Sequence, residues 1–217
     1  MTASVKICGL TRVEDAIAAV TAGATFVGMV FFHKSPRFIV PKQATAIVDV
    51  LPRRVRAVGL FANSDHIWLN EVVRHVRLDM IQLHGTESAS QVQRVRQTFG
   101  LPVIKAIALQ TPADLAVAQD YLQVVDWLLF DAKPPQNADH PGGHGIAFDW
   151  KILQPVQKMQ LPIPWILAGG LTPTNVAEAI RRTSAAVVDV SSGVEERPGV
   201  KSLVKIQSFM KAVRKNV

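Results

Sequence analysis

Apolar positions along the chain fall into short, unbroken runs. Val5–Cys8, Phe26–Phe31, Ala57–Phe61, Met80–Leu83, Val103–Ala106, Trp127–Phe130, Trp165–Ala168 and Val187–Val190 are rich in β-branched and other apolar residues. A strand covered on one face alternates apolar with polar. A strand of a parallel sheet covered on both faces reads as a continuous run, as these do. Between the runs lie segments with helical spacing. Val13–Ala22 has Thr11 near its N-cap and stops at Gly23, and Pro41–Leu51 opens on a proline suited to a first turn. Asn63 or Ser64 is expected to cap Ile67–Val76, and Thr86 to cap Glu87–Phe99, which ends at Gly100. Thr111-Pro112 opens Ala113–Leu122, and Thr172-Pro173 opens Thr174–Arg182. Phe148–Met159 is interrupted at Pro155, and Val200–Val213 closes the chain.

Strict alternation of strand and helix predicts a parallel sheet with right-handed crossovers. Eight strand–helix units fit a closed (β/α)8 barrel, expected here as one α/β domain over residues 1–217. The competing architecture is an open doubly wound sheet, which carries a glycine fingerprint in its first turn. The first turn here is Cys8-Gly9-Leu10-Thr11. One long connection stands out, Asp131–Ile146, with Pro134-Pro135, Pro141 and Gly142-Gly143. Long loops in compact barrels tend to serve function.

Composition narrows the class. Hydrophobic residues make up 48% and charged residues 19% of the 217 residues, enough to bury a core and unlike a disordered chain. The one cysteine, Cys8, permits no intramolecular disulfide, so a reducing cytoplasm is the expected setting. The N-terminal Met1–Lys6 has no charged leader before an apolar core, and no apolar run is long enough to span a bilayer. No membrane partner is expected. The net charge of +7 admits a nucleic-acid partner, but the cations do not cluster. Arg53, Arg54 and Arg56 read as linker residues; Arg74, Arg77, Arg181 and Arg182 read as helix ends, where cations complement the helix dipole. The expected partner is therefore a small anionic substrate drawn by a positive field, with no nucleic acid.

A barrel places its chemistry at the C-terminal ends of the strands and in the loops that follow. That rule selects Cys8 after the first strand, Arg37 after the second, Gln82 and His84 at the fourth and Asp131 at the sixth. It also selects Gly169-Gly170 after the seventh and Ser191-Ser192-Gly193 after the eighth. The last two loops hold the ordinal positions where barrels bind phosphate through backbone N–H groups, so a phosphorylated substrate is expected. Each of these glycines and serines would also serve a plain turn. Cys8 and Asp131 are the acid–base candidates, against the alternatives of a small core residue and a helix cap. They are expected to face each other across the barrel mouth. Arg37 offers a rigid fork for a carboxylate. Lys6 alternates with Cys8, sharing its face, and needs a partner if buried. No metal site is expected: His140 and His144 are the closest histidines and lie in a loop.

The longer motifs are Val5–Arg12, Phe31–Arg37, Gln82–Gly85, Leu129–Asp131, Gly142–Gly145 with Phe148–Trp150, Ala168–Leu171 and Asp189–Glu195. In order and over essentially the whole chain they resemble the phosphoribosylanthranilate isomerase family. The resemblance implies an Amadori rearrangement in tryptophan biosynthesis, converting N-(5-phosphoribosyl)anthranilate to 1-(2-carboxyphenylamino)-1-deoxyribulose 5-phosphate. It implies no cofactor and no metal. Cys8 matches the general base, Asp131 the general acid, and Arg37 the holder of the anthranilate carboxylate. Gly169, Gly170, Ser192 and Gly193 match the phosphate loops; Lys6, Gln82, His84 and Asp189 complete the expected substrate-binding set. Lys6 is expected to favour a thiolate at Cys8. The chain departs from the family at His144, where a small hydroxyl residue is usual, and at Ile146, where a basic residue is common. A monomer or a homodimer fits equally. Two other readings remain at this point: another phosphate-binding barrel enzyme, or an idle barrel that binds a phosphoryl ligand.

Overall fold

The structure is a computed structural model that describes residues 3–154, 156 and 161–215. Eight parallel strands close into a barrel in chain order. They are β1 (Ser4–Ile7), β2 (Phe26–Val30), β3 (Arg56–Phe61), β4 (Met80–Leu83), β5 (Val103–Leu109), β6 (Trp127–Ala132), β7 (Trp165–Leu167) and β8 (Val187–Val190). Closure is the pairing of β1 with β8, from Ser4 opposite Val187 to Ile7 opposite Val190. All eight expected runs are strands, within a few residues at their ends. Cys8 lies one residue beyond β1, and Arg56 opens β3 rather than lying in a linker.

Alternation along each strand splits the apolar residues between two cores. One face packs inside the ring: Phe26, Val58, Met80, Ile104, Leu129, Ile166 and Val187 form a single buried cluster. The other face, including Val27, Ile81, Val103, Leu128, Phe130 and Val188, packs against the surrounding helices. This double coverage explains why the strands read as continuous apolar runs.

The helices carry one apolar stripe each. α1 (Val13–Ala22) buries Ala16 and Ala19 and ends at Gly23, which sits at φ 102° and donates its N–H to Ala19 and Val20 carbonyls. α2 (Pro41–Asp49) buries Ala44, Ile47 and Val48; α3 (His66–His75) buries Leu69 and Val72. α4 (Ala89–Phe99) buries Val92 and Val95. α5 (Val176–Thr183) and α6 (Leu203–Arg214) complete the set.

Several expected details differ. Asp65, not Asn63 or Ser64, caps α3 by accepting from Trp68 N–H. Ser88, not Thr86, caps α4 in a capping box with Gln91. Asn63 and Thr86 are instead used on each other: Asn63 Oδ1 accepts from Thr86 N–H at 2.8 Å, tying two loops of the mouth together. Thr11 donates to the Gly199 carbonyl rather than capping α1. Pro112–Tyr121 winds as a 3-10 helix. It buries only Ala118 and Tyr121, too narrow a stripe to demand the α-helical period. After β6, a short 3-10 helix covers Trp150–Leu153. Part of the expected Phe148–Met159 helix, at Pro155 and residues 157–159, lies outside the described residues.

The largest departure is at the C-terminus, where the last helix begins at Leu203 rather than Val200. Before it, β9 (Glu195–Arg197) and β10 (Val200–Lys201) form a small antiparallel hairpin. Its turn is Pro198-Gly199 with Gly199 at φ 81°, the residue order of a tight type II turn. Among the described residues, no helix is long and apolar enough to cross a membrane.

Candidate active site

The mouth of the barrel is built by carrying each inward face two residues further. Met80 points into the inner core, and Gln82 follows on the same face. Val187 is followed likewise by Asp189, and Leu129 by Asp131. Lys6 pairs in register with Phe26 and Asp189, so it also faces inward, with Cys8 next above it. The ring is thus apolar below and polar at its C-terminal rim. Gly28 makes room for this layer: a Cβ there would stand 2.7 Å from Cys8 Sγ and 3.2 Å from Lys6 Nζ.

On one side of the mouth, Gln82 Nε2 donates to His84 Nδ1 at 2.9 Å. His84 Nε2 in turn stands 3.1 Å from Asp131 Oδ2. Asp131 Oδ1 accepts the Ala132 backbone N–H at 2.8 Å. Both carboxyl oxygens are held, and the group points at the cavity with a side-chain exposure of 12%.

On the other side, Lys6 Nζ donates to Asp189 Oδ1 at 3.0 Å, and the lysine is wholly buried. Burial opposes the ammonium, but Asp189 and Cys8 outweigh it and raise the Lys6 pKa. For Cys8 the balance goes the other way. Burial raises its pKa, Lys6 lowers it, Asp189 raises it again, and the net direction is up. Lys6 therefore acts in the expected direction, yet its charge is already matched by Asp189. Burial thus pushes the Cys8 thiol above its ordinary range, against the pull of Lys6 towards a thiolate.

Arg37 reaches the same mouth from the loop after β2. Its Nε donates to Glu195 Oε1 and its Nη2 to Glu195 Oε2, both at 2.8 Å. Nη2 also reaches the Gly143 carbonyl at 3.3 Å. Glu195 Oε1 accepts a further hydrogen bond from Lys201 Nζ at 2.8 Å. All three side chains are buried. Burial pushes Glu195 up, but Arg37 and Lys201 prevail and hold it below the usual glutamate range.

The loops after β7 and β8 pack together. Gly169 and Gly170 sit at φ 88° and 58°, and a Cβ on Gly170 would lie 2.5 Å from Ala147 N. A Cβ on Gly193 would overlap the Leu171 carbonyl at 1.9 Å. Asn175, at the start of α5, donates Nδ2 to the Gly170 carbonyl and accepts the Thr172 N–H. The long loop after β6 forms the roof. His140 and His144 stack in it with centroids 4.2 Å apart and rings within 2° of parallel. Burial lowers the His140 pKa, which suits a neutral stacked ring. Among the described residues, no group of three or more His, Cys, Asp or Glu side chains is arranged to hold a metal ion.

One cavity therefore offers a thiol, a carboxyl, the free Nη1 of an arginine and two close-packed glycine loops, the elements needed to move protons on a bound anion. The sequence profile of N-(5'-phosphoribosyl)anthranilate (PRA) isomerase matches residues 5–212. The chain belongs to this isomerase family. The N-(5'-phosphoribosyl)anthranilate isomerase of Paracoccus denitrificans is 53% identical over 210 residues, covering 97% of this chain and 96% of that one. A phosphoribosyl anthranilate isomerase solved with reduced 1-(o-carboxyphenylamino)-1-deoxyribulose 5-phosphate aligns with a TM-score of 0.85 at 35% identity, over 98% of this chain and 99% of that one. Monomers generated from the dimeric Thermotoga maritima phosphoribosylanthranilate isomerase align with a TM-score of 0.84, also at 35% identity and over the same shares.

Of the residues expected from the phosphoribosylanthranilate isomerase resemblance, Cys8, Arg37, His84, Asp131, Gly169, Gly170, Asp189 and Ser192 line this cavity. Lys6, Gln82 and Gly193 stand behind that lining: the first two are fully buried and contact Asp189 and His84. Val30, Phe32, Leu60 and Ile146 supply an apolar wall. Sequence reasoning gave no role to Glu195 and placed Lys201 in a helix. The signal was the Pro198-Gly199 turn between them, which marks a hairpin and returns Lys201 to the side of Glu195.

Proposed function

We propose that the protein isomerises N-(5-phosphoribosyl)anthranilate to 1-(2-carboxyphenylamino)-1-deoxyribulose 5-phosphate, with Asp131 as general acid and Cys8 as general base. The observation that carries this reading is the shared cavity: Cys8 and Asp131 line it together with Arg37 and the glycine loops after β7 and β8. The substrate is anionic at both ends, and the cavity offers an anion-binding group for each. Arg37 takes the anthranilate carboxylate, the apolar wall takes its ring, and the loops at Gly169–Gly170 and Ser192–Gly193 take the phosphate. The ribose then lies between acid and base.

The chemistry proceeds in three stages. Asp131, in its acid form, gives a proton to the ring oxygen as the C1′–O4′ bond breaks, and the nitrogen lone pair closes a C1′=N iminium. That cation acidifies the C2′ proton, which Cys8 removes as thiolate, leaving an enolamine. Ketonisation places a proton on C1′ and releases the C2′ hydroxyl proton, so the product has the composition of the substrate. The enzyme is left with Asp131 as carboxylate and Cys8 as thiol, so one proton passes from Cys8 back to Asp131 through solvent before the next turnover, and the positive charge of Lys6 favours its loss from Cys8.

The protein's single cysteine, held as a buried thiol, suits an enzyme of the reducing cytoplasm. Its working form is a monomer or a homodimer. The test is direct. The purified protein is mixed with freshly generated phosphoribosylanthranilate, and the loss of anthranilate-type fluorescence is followed. Turnover is expected. A folded protein that leaves the substrate untouched contradicts the proposal.

A further inference from the structure

Arg37 is presented to the cavity by groups that take no part in the proposed proton transfers. Its stem crosses Gly9, where a Cβ would lie 2.5 Å from Arg37 Cδ, so the bare backbone there makes room for it. Its guanidinium is then gripped on one edge. Nε and Nη2 both donate to Glu195, Nη2 also reaches the Gly143 carbonyl, and Nη1 stands on the Gly143 side of the cavity. Glu195 is itself held from behind by Lys201 Nζ at 2.8 Å and by the Gly199 N–H at 3.4 Å. Lys201 is wholly buried, and it also donates to the Ser191 carbonyl at 3.1 Å and to Ser191 Oγ at 3.3 Å. Its own backbone N–H is fixed by Asp15 at 3.1 Å.

We infer that Glu195 and Lys201, joined by the β9–β10 hairpin, are positioning residues that aim Arg37 at the ligand carboxylate and tie it to the loop after β8. The inference rests on the reading of Arg37 given above. An arginine on a long stem has many rotamers, and holding it in one reduces the entropy lost when it binds. The bidentate grip fixes the plane of the guanidinium and leaves its Nη1 edge for the ligand. Lys201 extends the grip to Ser191, which lines the cavity beside Ser192. The two anion-binding ends of the site are thereby joined by one buried ion network. A simple packing role would not need a carboxylate shared by two cations, since a buried pair is no more stabilising than an apolar replacement of the same shape.

The experiment uses the whole protein and two probes: the reduced product analogue, and the same compound with the ring carboxylate replaced by hydrogen. In the parent protein the carboxylated probe is expected to bind at least about 10-fold more tightly, the value of a charge-assisted hydrogen bond. Arg37→Ala should abolish that preference. Glu195→Gln should reduce it to within about 3-fold while changing the affinity for inorganic phosphate less than 2-fold. Because Glu195→Gln leaves two buried cations uncompensated, the double variant Glu195→Gln/Lys201→Met is measured beside it; it removes one charge of each sign and should show the same loss. A parent without preference, or an Arg37→Ala variant that keeps it, overturns the reading of Arg37 and this inference together. Preference lost in Arg37→Ala but fully kept in a folded Glu195→Gln or double variant overturns the positioning role alone.

Discussion

His84 Nε2 lies 3.1 Å from Asp131 Oδ2, and its other ring nitrogen is fixed by Gln82 at 2.9 Å. The amide donor on Nδ1 leaves the imidazole proton on Nε2, facing the carboxyl. Gln82, His84 and Asp131 thus form a chain that sets the direction of the proposed acid. His84→Leu should therefore lower kcat by about 10- to 100-fold, a range typical of an acid–base contribution partly lost. KM should change much less, since the phosphate loops and Arg37 remain. Steady-state kinetics decide it; a rise in KM at constant kcat would make His84 a binding group only.

The environment of Cys8 sets the pH dependence. Burial raises the thiol pKa against the pull of Lys6. A base must be deprotonated to act, so the active fraction is small at neutral pH and grows as pH rises. The thiolate fraction of Cys8 should keep rising past the ordinary thiol range. Lys6→Met removes the group that lowers the Cys8 pKa and should move this rise to still higher pH. The rate of alkylation of Cys8 against pH gives its midpoint. A midpoint unchanged by Lys6→Met would remove Lys6 from the chemistry.

Gly28 is no part of the cavity lining, yet its bare backbone makes space for the base. A Cβ at 2.7 Å from Cys8 Sγ forces the thiol to move. Gly28→Ala should keep the barrel intact, as judged by circular dichroism, and lower kcat by about 100-fold, the cost of a misplacement near 1 Å. Activity at the parental level would mean that the position of Cys8 is not critical.

Lys105 faces outward from β5, beneath the Tyr121 ring at 5.6 Å, and ties down the loop that carries His84. It donates to the Gly85 carbonyl at 2.7 Å and to Glu87 at 3.0 Å; Glu87 also accepts the Asn63 and Gly85 N–H groups. Burial lowers the Lys105 pKa and Glu87 opposes this. Lys105→Met strands a buried carboxylate and should cost about 3–5 kcal/mol in chemical unfolding. A loss below about 1 kcal/mol would mean that the pair contributes little.

The barrel was legible because its strands are buried on both sides, which writes them as unbroken apolar runs. The mouth was legible because the polar residues at Cys8, Gln82, Asp131 and Asp189 interrupt those runs at the same end. What stayed hidden depends on partners distant in sequence. Asn63 and Thr86 look like caps, yet they bond each other across 23 positions. Glu195 was given no role and Lys201 was placed in the last helix, because Arg37, the group that Glu195 holds, lies 158 residues from it. The upward push on the Cys8 thiol was hidden for the same reason: Lys6 stands two residues from Cys8, but Asp189, which pairs with Lys6, comes 183 residues after it.

The most direct test of the acid–base assignment is kcat for Cys8→Ser, Asp131→Asn and the double variant, measured on phosphoribosylanthranilate beside the parent. Each single variant should lose about 1,000-fold or more, and the double should be little worse than either, because two groups that act on one reaction do not fail additively. A folded single variant that retains a tenth of the parental kcat would contradict the role assigned to that residue.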